Sequence, residues 1–489
     1  MAGIGFELKR LFAGKGLLMQ LRATMYAGSV IAGPMILGTS LLFLTKFVAQ
    51  MVGLPGAGQD AVVVMITWSI LFPLILTSCF TYLLARFISD MLYENDLSRI
   101  LPSMYATIAL CLLIGSLLWG VFLYYNDINL NYKVLSFILF CEAVVVWIQI
   151  SYTNATKDYR AVMLGFVYGI SVAIVIDLSL FINRGLDPIL ILLLSACAAY
   201  AAMIATYTRV LHAYFPIGKG TSIMFLLWAS NFPSLLQVGL YSTLGLFAHI
   251  MMMWTSPWGL AAIGKFYHAP QHDIPVLFAF FTTLVTTVNF VTSVEVKFYG
   301  HYKTYFSLLN DNGSLADIEK AYNDLITVLK QELFYLAQLQ LFVTVIAIVV
   351  IGEVLEKLGF GFNSNMIGLF RVLCVGYGLF AVGNAFLLFL LYITNYRGAL
   401  VTAATFAVIN ILGTLFTINL PSIFYGFGFV LAGLAMYLVG WLELSLFLKR
   451  LDYHIYCKQP IFVDKRKSLF EKFIRSADQR SMRQGANEP

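Results

Sequence analysis

The sequence predicts an all-α polytopic membrane protein, with about twelve transmembrane helices in two six-helix lobes. Three observations carry this. Of 489 residues, 60% are hydrophobic and only 11% charged, with a mean hydropathy of +0.83. Soluble domains are roughly 45–50% apolar and about 25% charged, and one soluble core stops growing near roughly 250–300 residues. Much of this apolar surface must therefore face lipid. Second, the apolar residues fall into runs long enough to cross a hydrocarbon layer, which takes roughly 20 residues of helix. Third, the basic residues collect in alternate loops. The same composition excludes a soluble enzyme and a disordered chain. The runs are also too long for the strands of a membrane barrel.

The elements follow in order. A basic segment, 1–22, carries Lys9, Arg10, Lys15 and Arg22 and leads into a first span at about 23–48. That span is too long for a cleaved signal peptide, so it reads as an uncleaved anchor. Further spans lie at about 61–84, 104–125, 133–153, 161–183 and 186–210. They complete an N-lobe over 23–211. A short linker, 212–223, holds Pro216, Gly218 and Gly220. The C-lobe, 224–448, contains spans at about 224–253, 275–295, 333–354, 365–391, 399–418 and 422–448. Its long loop, 297–332, reads as an amphipathic helix. Ser314 and Asp317 form a capping-box variant, and Leu315, Ile318, Tyr322, Leu325 and Leu329 recur at helical spacing. The basic tail, 449–489, includes Lys465, Arg466, Lys467, Lys472 and Arg475.

With both termini cytoplasmic, 25 of 31 Lys and Arg fall on the cytoplasmic side and 5 on the outer side, with Arg371 inside a span. The positive-inside rule thus accounts for the net charge of +6, and nothing points to nucleic acid.

Two echoes link the halves. Tyr152-Thr153-Asn154 with Tyr159-Arg160 closes span four, and Tyr392 with Thr394-Asn395-Tyr396-Arg397 closes span ten. Pro34 and Pro233 both sit well inside the first span of their half, where proline removes a helix hydrogen bond and serves as a gate kink.

Ionisable groups at membrane depth are costly and mark function by default. Glu142, Asp177, Arg371 and Glu443 qualify. Glu142 and Asp177 read either as a proton or cation site or as structural groups, paired with Arg371 or making polar contacts between helices. Arg371 also suits an anionic substrate group, whereas Glu443 is near enough to Lys449 to snorkel. Asn231, Gln237, Asn289 and Asn384, with Gln149 and Asn410, are either interhelix glue or the lining of a polar route. Trp147, Trp228 and Tyr241 would then be stacking faces for sugars. His249 reads as a packing residue. The cysteines form no metal pattern, and no nucleotide-binding, hydrolase or metalloprotease motif is present. The expectation is a carrier without cofactor or metal, and no enzyme.

The opening string, Met1-Ala2-Gly3-Ile4-Gly5-Phe6-Glu7-Leu8-Lys9-Arg10-Leu11, resembles the Pel exopolysaccharide transporter family, PelG. Ala32-Gly33-Pro34 in the first span resembles it too, although Met35 stands where a tryptophan is expected. Length, span count and the single long loop extend the resemblance to the whole chain. It implies a MATE-like polysaccharide flippase fold, with two lobes around a central cavity, working by alternating access. It also implies movement of Pel, an amino-sugar biofilm polymer, across the bacterial cytoplasmic membrane. The implied partners are the membrane proteins PelD and PelE and the glycosyltransferase PelF, docked at the 297–332 loop or the tail. It supplies no residue motif at Glu142, Asp177 or Arg371.

Overall fold

A computed structural model describes residues 17–156, 159–182, 185, 187–218, 223–310, 313–357, 362–449, 451 and 476. The first eleven residues, part of the 212–223 linker and nearly all of the basic tail lie outside the described residues.

Helices dominate the chain, as backbone groups in lipid must be paired within their own segment. Among the described residues, eleven helical segments are long and apolar enough to cross a membrane, and Met35–Met51 is a shorter apolar stretch. The chain is a multi-pass membrane protein. Its contacts divide it into two units. One holds 33–243, 260–268 and 463–489; the other holds 1–32, 244–259 and 269–462.

The first unit begins within α1 (Leu17–Met51), which runs through Pro34 without a break. Then come α2 (Gly56–Glu94), α3 (Ile100–Tyr124), α4 (Leu130–Thr156), α5 (Tyr159–Asp177), a single turn α6 (Ser179–Ile182) and α7 (Pro188–Tyr214). The end of α2 is set by Asn95 in the left-handed conformation, φ 61°, a frequent helix stop. Asp187 caps α7, its side chain accepting from Ile189 N at 3.0 Å. Both α4 and α5 pack along α7, and α2 packs on α4.

Span seven differs from the sequence expectation. Pro233 does not kink one helix; it separates α8 (Phe225–Asn231) from α9 (Pro233–Met253). Phe232 between them has left helical geometry, with ψ 57°. Proline is at home in the first turn of a helix, where its missing N–H leaves no bond unmade.

An antiparallel hairpin, β1 (Leu260–Ile263) and β2 (Phe266–His268), follows. No strand was expected there. Gly264 turns it with φ 52°, and Lys265 N donates to Asn126 Oδ1 at 2.9 Å. The strands are too short to register as a pattern in sequence.

The second unit contains α10 (Pro270–Phe281), α11 (Thr283–Thr292), α12 (Tyr299–Asn310), α13 (Leu315–Ile346), α14 (Gly352–Lys357), α15 (Ser364–Tyr392), α16 (Tyr396–Ile418) and α17 (Phe427–Leu448). Wider π turns lie at Ser293–Phe298 and Ala347–Ile351. The centre of this unit is α15, 72% buried along its span. It packs on α17, and α16 packs on α17 as well. Gly413 and Gly428 let α16 and α17 touch backbone to backbone, the small-residue contact membrane helices favour.

The expected loop helix is not separate from span nine. Leu315–Leu355 runs as one helical rod, only 22% buried along its span. Ser314 caps it, accepting from Asp317 N at 3.2 Å. Ala321, Leu325, Leu329, Glu332 and Leu336 form its buried stripe, while Leu315 is exposed. Tyr322 Oη donates to Leu448 O at 2.8 Å, tying the rod to the end of α17.

The paired Tyr-Thr-Asn motifs also diverge. Asn395 Oδ1 accepts from Gly398 N at 3.0 Å and starts α16 after a tight turn at Thr394. In the first half Tyr152, Thr153 and Asn154 remain inside α4.

Candidate functional site

In the first unit Glu142 on α4 and Asp177 at the end of α5 both face α7 (188–214). Asp177 is 2% exposed and lies beside Ser195, whose hydroxyl donates to Leu192 O at 3.0 Å. Neither Asp177 oxygen has a hydrogen-bond partner, and Oε2 of Glu142 is likewise buried and unpaired. Glu142 is near Cys197 and Tyr200, two and five residues along α7 from Ser195. The two carboxylates thus converge on one helix from different sides. A carboxylate in such a setting takes a proton or a cation.

Arg371 on α15 meets Glu353 on α14 at 3.6 Å, both side chains about half exposed. This contact is not visible in the sequence, because the acid belongs to the preceding helix. Glu443 approaches Gly398 near the start of α16, a position where helix amides favour an anion.

The amides separate into two groups. Gln149 Nε2 donates to Thr208 Oγ1 at 2.8 Å across α4 and α7. Asn410 on α16 donates to Gly245 O of α9 at 2.6 Å. Both act as interhelix links. Asn289 spends its Nδ2 on Val285 O of its own helix, at 2.8 Å. Asn231 and Gln237 are exposed, and Asn384 is half-buried. Of the expected stacking faces, Trp147 donates to Ile70 O at 3.3 Å and Trp228 to Asp90 Oδ2 at 2.7 Å. Tyr241 is half-buried on α9.

Sequence reading missed an aromatic cavity of about 280 Å³ in the first unit. Trp68, Phe72, Leu76, Trp119, Phe122 and Phe140 line it. Phe266 of β2 stacks edge-on against Trp68, Trp119 and Phe122. The Nε1 of Trp119 is buried without a partner, while Trp68 Nε1 donates to Tyr267 O at 2.9 Å. These residues come from three helices and a hairpin, so no local pattern announces them. Among the described residues, no group of three or more His, Cys, Asp or Glu is placed to hold a metal.

Residues 1–456 match the PelG family, described as "Putative exopolysaccharide Exporter (EPS-E)". The chain belongs to the PelG family. No curated protein matches it. Among solved structures it is similar to an outward-facing multidrug resistance MATE family transporter of the MOP superfamily. That match has 15% identity and a TM-score of 0.58, over 92% of this chain and 99% of that one. The inward-facing conformation of such a transporter matches with 13% identity and a TM-score of 0.55, over 87% and 99%. A MOP superfamily transporter from Pyrococcus furiosus matches with 14% identity and a TM-score of 0.56, over 87% and 96%. A PelG-family chain with the MATE fold is a transporter and not an enzyme.

Proposed function

We propose that this chain exports the Pel polysaccharide across the bacterial cytoplasmic membrane by alternating access, within a synthase complex that includes PelD, PelE and PelF. The observation that carries the reading is the family match over 1–456. Glu142 and Asp177 form its coupling site for a proton or cation, supported by their unpaired, buried oxygens. Arg371, Asn231, Gln237, Asn289 and Asn384 belong to the route of the polymer, with Pro34 and Pro233 at its gating helices. The partner surface is the outward face of α13 and the basic tail, since the stripe of α13 around Leu325 is already packed internally.

The test is a chromosomal deletion in a strain whose glycosyltransferase is intact. Surface polymer is expected to disappear and to return with the wild-type copy. Normal matrix in the deletion strain would overturn the reading. Drug sensitivity without matrix loss would instead favour small-molecule antiport. Export that survives every site substitution yet fails on loss of the α13 face would favour a scaffold.

A further inference from the structure

The aromatic cavity between α2, α3 and α4 has no part in the export reading, yet its shape, chemistry and opening all select an occupant. Its walls are two helical stripes. Trp68, Phe72 and Leu76 follow one another at successive turns of α2, and Gly115, Trp119 and Phe122 do so on α3. Trp68 stacks on Phe122 with centroids 5.4 Å apart. Leu76 meets Gly115 instead, where an added Cβ would come within 2.8 Å of Leu76 Cδ2 and 2.9 Å of Phe140 Cε1. The cavity therefore runs along the helices from Trp68 to Leu76, about 12 Å at roughly 1.5 Å per residue. One leaflet supplies about half of a hydrocarbon core roughly 30 Å thick, so the cavity matches most of the depth of one chain.

Leu118 gives the way in. It lines the cavity and is 60% exposed, and beside it on the same membrane-spanning helix Leu117 and Val121 are 68% and 53% exposed. The cavity is thus continuous with an apolar surface that lipid covers. Apart from two indole N–H groups, the lining side chains carry no polar atom. Trp68 Nε1 donates to Tyr267 O at 2.9 Å. Trp119 is 4% exposed, and its Nε1 is buried without a partner. One donor and no side-chain acceptor suit an apolar chain with a single acceptor near its head. A sugar ring would instead bury several hydroxyls unpaired, which is costly. An apolar cavity of about 150 Å³ holds benzene, so 280 Å³ has room for part of one chain rather than a whole lipid.

We propose that this cavity binds one acyl chain of an ester phospholipid. The chain enters past Leu118 and lies between the α2 and α3 stripes. Its ester carbonyl accepts a hydrogen bond from Trp119 Nε1. The depth agrees with this. Trp119 precedes the end of α3 at Tyr124 by about 7.5 Å along the axis, and the headgroup layer on each side of a bilayer is about 5–7 Å thick. Below that layer come the ester carbonyls and then the chains, the order in which Trp119 and Gly115 occur along α3. Gly115 leaves the space that the chain fills, and Phe266, fully buried against Trp68, Trp119 and Phe122, steadies the aromatic wall.

The experiment is photolabelling of the full chain in detergent with a phosphatidylglycerol that carries a diazirine on one acyl chain, mapped by peptide mass spectrometry. Label is expected to concentrate on 68–76 and 115–122. Leu118→Trp, which fills the opening, is expected to reduce it at least fivefold. Leu117→Trp, as exposed but off the cavity, is expected to leave it unchanged. Diester phosphatidylglycerol is expected to compete about fivefold better than the diether with the same chains, the worth of one neutral hydrogen bond. Trp119→Phe is expected to erase that difference. Label spread evenly over the lipid-facing helices, or lost equally with Leu117→Trp, would overturn the proposal. So would equal competition by ester and ether, or displacement by an amino-sugar oligosaccharide, which would make the cavity a polymer site. This readout involves no transport, so its failure leaves the export reading standing.

Discussion

At the scale of single residues, what matters is whether a polar group at depth is partnered. Asp177 is not, and Asp177→Asn removes a buried charge at nearly constant shape. Polymer export is expected to fall at least tenfold while protein level and thermal midpoint in detergent hold or rise. Unchanged export would remove Asp177 from the coupling site. Asn410→Ala should do the reverse. It leaves Gly245 O and His249 Nδ1 without their donor, a cost of roughly 1–3 kcal/mol per group, and is expected to lower the unfolding midpoint measurably. Lys297 Nζ holds buried Glu332 at 2.7 Å but is 55% exposed. Lys297→Ala is therefore expected to cost about 1–2 kcal/mol, less than a fully buried pair. Glu142, Asp177 and Arg371 were legible in the sequence because charge is conspicuous in an apolar run. Their surroundings were not, since Glu353 and Ser195 belong to other helices. The neighbours of His249 were hidden for the same reason: His272 is 23 residues away in sequence and meets it only after folding.

At the scale of elements, packing is set by positions without side chains. A Cβ on Gly239 would come within 2.0 Å of Ser78 O, a backbone atom of α2. Backbone cannot swing aside as a side chain does. Gly239→Ala is therefore expected to separate α9 from α2 and sharply reduce folded yield, read by size-exclusion chromatography of a fluorescent fusion. Gly368→Ala is the control. It meets nothing within 4 Å, and alanine in a helix gains roughly 0.5–1 kcal/mol over glycine. Helix existence was legible throughout, because a run of twenty apolar residues has few other outcomes. Helix ends were less so. The sequence places a loop at 297–332, where the structure continues α13 straight into span nine, since its amphipathic and lipid-facing parts share one helical period. Pro233 was visible, but whether proline kinks a helix or begins one depends on Phe232 leaving helical geometry.

At the scale of the whole molecule, the distribution of basic residues makes a topological forecast. A fluorescent protein fused after Pro489 is expected to glow and a phosphatase fused there to be inactive. A phosphatase inserted after Pro257 should be active. The opposite pattern would reverse the orientation. The sequence by itself determined that this chain lives in lipid and crosses it many times, and its opening residues already resembled the PelG family. Those features are local: hydropathy, run length and flanking charge need no knowledge of which helix meets which. Only the tertiary structure decided which polar groups are paired and which are stranded. It brought Glu142 and Asp177 to one helix, gave Arg371 to Glu353, gathered three helices and a hairpin around an aromatic cavity, and set His272 against His249. The reason is physical. A lipid-exposed and a buried helix face are equally apolar, so hydropathy says that a helix spans but not which side of it meets protein.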